Sequence, residues 1–138
     1  MVKAEIRLLG AREGYSSTVL ADTGARMSLI DRSLAERIGV QYTGREIGFI
    51  SISGQTVKAS EAIVQELELE GEKLKYEVIA AAEIPKSVKE ALGKNELDEN
   101  VILGLLTMER ANMIPDTTTG KLRKVESFIL WTATHIEG

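Results

Sequence analysis

The sequence predicts a mainly β protein, a small closed barrel with one or two short helices. Three observations point there. Apolar and polar residues alternate in segment after segment, the period of a half-buried strand. Glycine-bearing turns join those segments at hairpin spacing. Hairpin, strand, bend and helix over Val2–Ile38 recur loosely as hairpin, strand, glycine and helix over Ile63–Ala111. The two stretches do not match residue by residue, so the echo is one of topology and suggests internal pseudo-symmetry.

In chain order, Val2, Ala4, Ile6 and Leu8 alternate with Lys3, Glu5 and Arg7, and Gly10–Gly14 is a turn. A second strand carries Tyr15, Ser17, Val19 and Ala21 on one face and Thr18, Leu20 and Asp22 on the other. Asp22-Thr23-Gly24 is a poor continuation of a strand, because Gly24 permits a bend that a side chain would block. After the apolar run Met27–Ile30, Asp31 or Ser33 can cap a short helix bearing Leu34, Ala35 and Ile38, which Gly39 ends. A hairpin of about residues 47–59 follows, with Ser53-Gly54 near its tip. It reads either as one more hairpin of an all-β domain or as a mobile cover over the Asp22 turn.

Ile63–Leu69 and Leu74–Ala82 form a third hairpin about Glu70-Gly71-Glu72, and Pro85 ends it. Lys86–Leu92 fits one or two helical turns, and Gly93–Asn100 is polar and without period, an exposed loop or equally a specificity loop. Val101-Ile102-Leu103-Gly104 is a buried strand stopped by glycine. Leu105–Ala111 is a second short helix, closed by Asn112 and a break at Ile114-Pro115-Asp116. Lys121–Trp131 reads as the last strand, with Phe128–Trp131 serving either as core or as interface.

The composition narrows the chemistry. A chain of 138 residues with 43% hydrophobic and 28% charged content suits one soluble globular domain spanning 1–138. Without cysteine there are no disulfides, thiolate metal sites or cysteine nucleophiles. The single histidine, His135, leaves no basis for a multi-histidine zinc site or a Ser-His-Asp triad and reads as a surface residue. Carboxylates, hydroxyls, lysines or a bound cofactor must do the work; no spacing singles out a metal site, and no cofactor is implied. A net charge of −4 with scattered bases argues against nucleic acid, and Lys121, Arg123 and Lys124 read as an exposed strand face. No apolar run approaches a membrane span and Met1–Glu5 is not a signal peptide, so the cytoplasm is the expected location.

The chemistry-bearing stretch is Val19–Ala25, an apolar strand running into a tight turn headed by Asp22. Asp-Thr-Gly alone also describes an ordinary Asx-type turn, in which Asp22 bonds backbone N–H groups. Its surroundings add weight: Ala25 follows, Ser28-Leu29-Ile30 leads into a helix, and Ile102-Leu103-Gly104 comes 80 residues after the aspartate.

Together these resemble the retropepsin-like aspartic proteases, single-lobe relatives of pepsin, and among them free-standing microbial members. The resemblance implies a barrel of the retropepsin type and a homodimeric endopeptidase acting on peptides or unfolded protein. Each chain holds one Asp-Thr-Gly, so a two-fold axis must bring two copies of Asp22 about one water. Such a pair shares a proton, one carboxylate acting as base on the water and the other polarising the scissile carbonyl. By the same resemblance Thr23 braces the two turns across the axis, and Gly24 lets substrate backbone approach. Ala25, Arg26, Ile52, Ser53, Gly54 and Gln55 contact substrate, the last four from the flap. Ile102, Leu103 and Gly104 support the turn from below, and the tail 121–138 joins the dimer interface. Arg26 departs from the pattern, since relatives often carry a hydroxyl or acidic residue there; it can pair with a substrate carboxylate or a partner-chain acid. It also keeps open a second reading, a non-catalytic dimeric peptide- or protein-binding domain. A third, a monomeric β module, requires both motifs to be coincidental.

Overall fold

The computed structural model describes residues 1–50 and 56–125. Its strands are β1 (Lys3–Leu9), β2 (Gly14–Ala21), β3 (Leu29–Asp31), β4 (Gln41–Ile50), β5 (Thr56–Leu69), β6 (Glu72–Ala82), β7 (Val101–Leu103), β8 (Met113–Asp116) and β9 (Lys121–Lys124). Three short helices join them: α1 (Arg32–Ile38), α2 (Lys86–Lys94) and α3 (Leu105–Arg110). Six strands close a barrel in the order β1-β2-β7-β3-β6-β5, sealed by antiparallel pairing of β1 with β5. β4 hangs outside the ring on β5.

The repeat expected from sequence has a structural counterpart. β1-β2-β3-α1 and β5-β6-β7-α3 are two equivalent halves. Each half's short strand lies parallel to the second hairpin strand of the other half: β3 on β6, and β7 on β2. β3 and β7 meet antiparallel between them. This exchange knits the halves into one core, because neither half closes a barrel alone.

Alternation decides what fills that core. Val2, Ala4, Ile6 and Leu8 are buried as the period-two pattern requires, with Val19 and Ala21 from β2, Leu67 and Leu69 from β5, and Leu103 from β7. Each large side chain buried this way contributes roughly 1.5–3 kcal/mol before entropy is counted. α1 starts where the Asp31 carboxylate accepts the Ser33 N–H at 3.2 Å. It stops at Gly39, whose φ of +83° is a left-handed conformation that suits glycine.

The long β5/β6 hairpin does not keep one phase. Val64 and then Leu67 are the buried positions on β5; Leu74 and then Glu77 are those on β6. Both strands therefore skip one step at the same level, around Gln65 and Tyr76, where Tyr76 takes a φ of +53°. The pairing register survives, running from Val64 with Glu77 to Glu66 with Lys75. Here β5 leaves its partner β4 and takes up β1, so the kinked ribbon turns the barrel's corner. The alternation expected along Ile63–Leu69 and Leu74–Ala82 is thus two alternations of opposite phase.

Further expectations are corrected. Gly93–Asn100 is not simply an exposed loop: Leu97 is buried among Leu92, Ile84 and Ile102, and the Asp98 N–H donates to the Thr18 carbonyl at 2.9 Å. One apolar residue in a polar stretch leaves no period to detect. Ile114-Pro115-Asp116 is a strand rather than a break, since proline is tolerated in the two-stranded β8/β9 ribbon, which lacks a central strand. α2 makes a third helix where one or two were expected, and runs to Lys94. The last strand, expected over Lys121–Trp131, is β9 over Lys121–Lys124; Phe128–Trp131 and His135 lie outside the described residues.

Candidate active site

Asp22 directly follows β2, and its position is set by β7. Leu20 pairs with Ile102 and Ala21 with Leu103, and the Asp22 N–H donates to the Leu103 carbonyl at 2.9 Å. The chain then reverses. The Gly24 N–H donates to Asp22 Oδ1 at 2.8 Å, and the Ala25 N–H to the Asp22 carbonyl at 3.1 Å. A Cβ on Gly24 would sit 3.1 Å from that carboxylate oxygen, so glycine keeps the turn tight.

The start of α3 grips the turn from the other side. The N–H groups of Leu105 and Leu106 donate to the carbonyls of Ala25 and Arg26 at 2.8 and 2.9 Å. The Gly104 N–H donates to Ser28 Oγ at 3.0 Å, and that buried hydroxyl is hydrogen-bonded to Thr107 Oγ1 at 2.6 Å. Residues 22–28 are therefore tied to residues 103–107 at several points. Ile102, Leu103 and Gly104 lie against the turn and carry no reactive group.

Exposure divides the turn. Thr23, Gly24 and Arg26 are exposed, Asp22 and Ala25 half-buried, Ser28 buried. Among the described residues no cation forms an ion pair with Asp22, and the Thr23 hydroxyl has no hydrogen-bond partner. The carboxylate thus stands half-buried at the end of β2 on a braced backbone.

The hairpin expected over 47–59 is present in its arms, with Ile47 opposite Ala59 and Ile50 opposite Thr56. Ile52, Ser53, Gly54 and Gln55 lie outside the described residues. Ile47 and Val57 pack against a second apolar cluster of Leu29, Ala80, Ile84 and Ile102, and so do Ala25 and Met27 of the turn and Val88 of α2. The β4/β5 hairpin and the turn thus share one apolar floor. Reading the chain from sequence missed Met27 and Val88 in this role; only their apolar character hints at it, because their neighbours are distant in sequence.

Behind the turn, Asp31 anchors three elements. It is 6% exposed, caps α1, accepts the Ser33 hydroxyl at 2.6 Å and the Ile84 N–H at 3.1 Å, and pairs with Lys89 Nζ at 3.2 Å. Burial alone would raise its pKa. The bonds from Ser33, Ile84 and Lys89 outweigh that and hold the carboxyl below its ordinary range.

The concavities described on the chain lie elsewhere. One of about 410 Å³ is lined by Glu70, Glu72, Met113 and Lys124, and one of about 300 Å³ by Val40, Ile63 and Tyr76. Among the described residues no group of three acidic or imidazole side chains could hold a metal ion, and no helix is long and apolar enough to cross a membrane.

Residues 6–109 match the model of a family described as aspartyl protease. No curated protein matches the chain. Among solved structures, EIAV protease complexed with the inhibitor HBY-793 aligns with a TM-score of 0.51 and 23% identity, over 78% of this chain and 85% of that one. At that identity the likeness speaks for the fold, the retropepsin barrel.

Proposed function

This chain belongs to the aspartyl protease family, and from that premise we propose that it is a homodimeric endopeptidase of the cytoplasm that hydrolyses peptide bonds with a paired Asp22. The observation that carries this reading is the state of the turn in a single chain. Asp22 is backbone-braced and half-buried, and Thr23 and Gly24 beside it are exposed. Such a turn has the character of half a site, and a two-fold axis through it would supply the other half.

In the dimer, two carboxylates close to one water repel each other when both are charged, so the pair would share one proton. The ionised one takes a proton from the water as it attacks the scissile carbonyl carbon. The protonated one hydrogen-bonds the carbonyl oxygen, and a proton then passes to the leaving nitrogen as the C–N bond breaks. Thr23 would bridge the two turns. Gly24 would leave room for substrate backbone, with Ala25 and Arg26 flanking it. The β4/β5 hairpin, through Ile52–Gln55, would close over the peptide and exclude water. Ile102, Leu103 and Gly104 would act only through the turn they support, and the tail 121–138 would add to the interface.

The test is cleavage of an unfolded protein at acidic pH by wild type and by Asp22→Asn, run beside a light-scattering measurement of mass. A bell-shaped pH–rate profile, lost in Asp22→Asn and blocked by a statine-type inhibitor, is the expected result. Equal cleavage by both proteins would sink the mechanism. Arg26 keeps open the second reading, a dimer that binds peptide without cutting it; a wild-type dimer that binds but never cleaves would establish that one.

A further inference from the structure

We propose that Arg26 is a specificity residue whose guanidinium receives a carboxylate side chain of the peptide substrate, aspartate or glutamate, near the scissile bond. This rests on the protease reading above and names the substrate class that its site prefers.

Placement comes first. The Arg26 carbonyl is held by the Leu106 N–H at 2.9 Å and its neighbour Ala25 by the Leu105 N–H at 2.8 Å, while Asp22 is held by Leu103. Arg26 and Asp22 thus sit on one backbone platform with fixed spacing. Ala25 and Met27 pack against the second apolar cluster, and Arg26 between them is exposed. Arg26 is thus a solvent-exposed cation four residues after Asp22.

The charge around it is the second observation. The chain has 21 acidic and 17 basic residues, and its described ion pairs engage Arg37, Arg45, Lys75, Lys89, Arg110 and Lys124. No described carboxylate pairs with Arg26, and the first turn of α3 against it carries no acid. A guanidinium offers a planar fork matched to a carboxylate, and such charge-assisted bidentate bonds are stronger than neutral ones. Among the described residues this fork has no carboxylate partner, so a chain of net charge −4 would repel acidic peptides overall and favour them at one place beside the Asp22 turn. The dimer would carry two copies, giving the preference on either side of the cleaved bond.

The experiment uses pairs of peptides that differ only by Glu or Gln, scanned along the residues flanking the cleavage point. Wild type should cleave the Glu member about tenfold faster in kcat/KM at one or more positions, chiefly through KM. Arg26→Gln should bring that ratio to about one, and Arg26→Glu should reverse it in favour of Lys-bearing peptides. As a check without a variant, the wild-type ratio should fall toward one in about 0.5 M salt. Cleavage of both members at equal rates at every position overturns the proposal and leaves the protease reading intact. A Glu preference that persists in Arg26→Gln, or a variant that only weakens the dimer, assigns Arg26 to another role and overturns it too. Cleavage of neither peptide, nor of unfolded protein, removes both.

Discussion

Gly104 donates its N–H to the buried Ser28 hydroxyl at 3.0 Å, and there is no room at Gly104 for anything but hydrogen. A Cβ there would lie 2.3 Å from the Met27 carbonyl carbon and 2.6 Å from the Ser28 nitrogen. The contact couples the end of β7 to the backbone just after Asp22.

Gly104→Ala should therefore push the Asp22 turn and α3 apart. Backbone atoms cannot rotate out of the way, so the expected loss is about 2–3 kcal/mol of folding stability, at the upper end for overpacking. Urea melts read the stability. A variant within about 0.5 kcal/mol of wild type would contradict the close approach.

Glu77 is the buried acid at the β5/β6 corner, and Arg110 of α3 holds it at 2.7 Å while its other nitrogen donates to the Lys75 carbonyl at 2.7 Å. The arginine is partly exposed, so water softens its loss. Arg110→Met should still destabilise by about 2–3 kcal/mol, mostly from stranding the carboxylate. Adding Glu77→Leu should recover most of that. A double variant no more stable than Arg110→Met would show that the acid is not the source of the penalty.

Asp31 makes stability depend on pH at the acidic end. Its folded pKa lies below the unfolded one, so between the two the unfolded chain binds more protons and stability rises with pH. Its contribution is complete above the ordinary carboxylate range and disappears as pH falls through the lowered folded value. Asp31→Asn should lower stability at neutral pH by about 2 kcal/mol through the cap and the Ile84 N–H, and should flatten the acid limb. Denaturant melts from about pH 2 to 6 measure this; parallel curves for both proteins would count against it.

Thr23 offers a probe of assembly. Exposed in the single chain, its side chain contributes little to the fold of one chain. Thr23→Val should leave the melting of a dilute monomer unchanged while raising the dimer dissociation constant about tenfold, the scale of one lost hydrogen bond. Sedimentation velocity across a concentration series separates the two. An unchanged dissociation constant would remove Thr23 from the interface.

Local pattern made the backbone of the candidate site legible and hid its surroundings. Asp22 at a strand end, the Asp31 cap, the Gly39 stop and the buried Val101–Leu103 strand each depend on a few neighbouring residues, and neighbours are what a sequence displays. The burial of Leu97 depends on Leu92, Ile84 and Ile102 meeting around it, and the grouping of Met27 with Ile47, Val57 and Val88 depends on four separate segments. No local period encodes either.

The amino-acid order by itself determined the hairpins, the two related halves and the glycine-flanked aspartate between them. Tertiary structure alone decided that β5 and β6 change phase together at Gln65 and Tyr76, that β3 and β7 cross into the opposite halves, and that α3 clamps the turn. Strand period and capping are set by bonds and contacts within a few residues. Barrel closure is set by which distant edges meet, and that is fixed only when the whole ring of backbone hydrogen bonds closes at once.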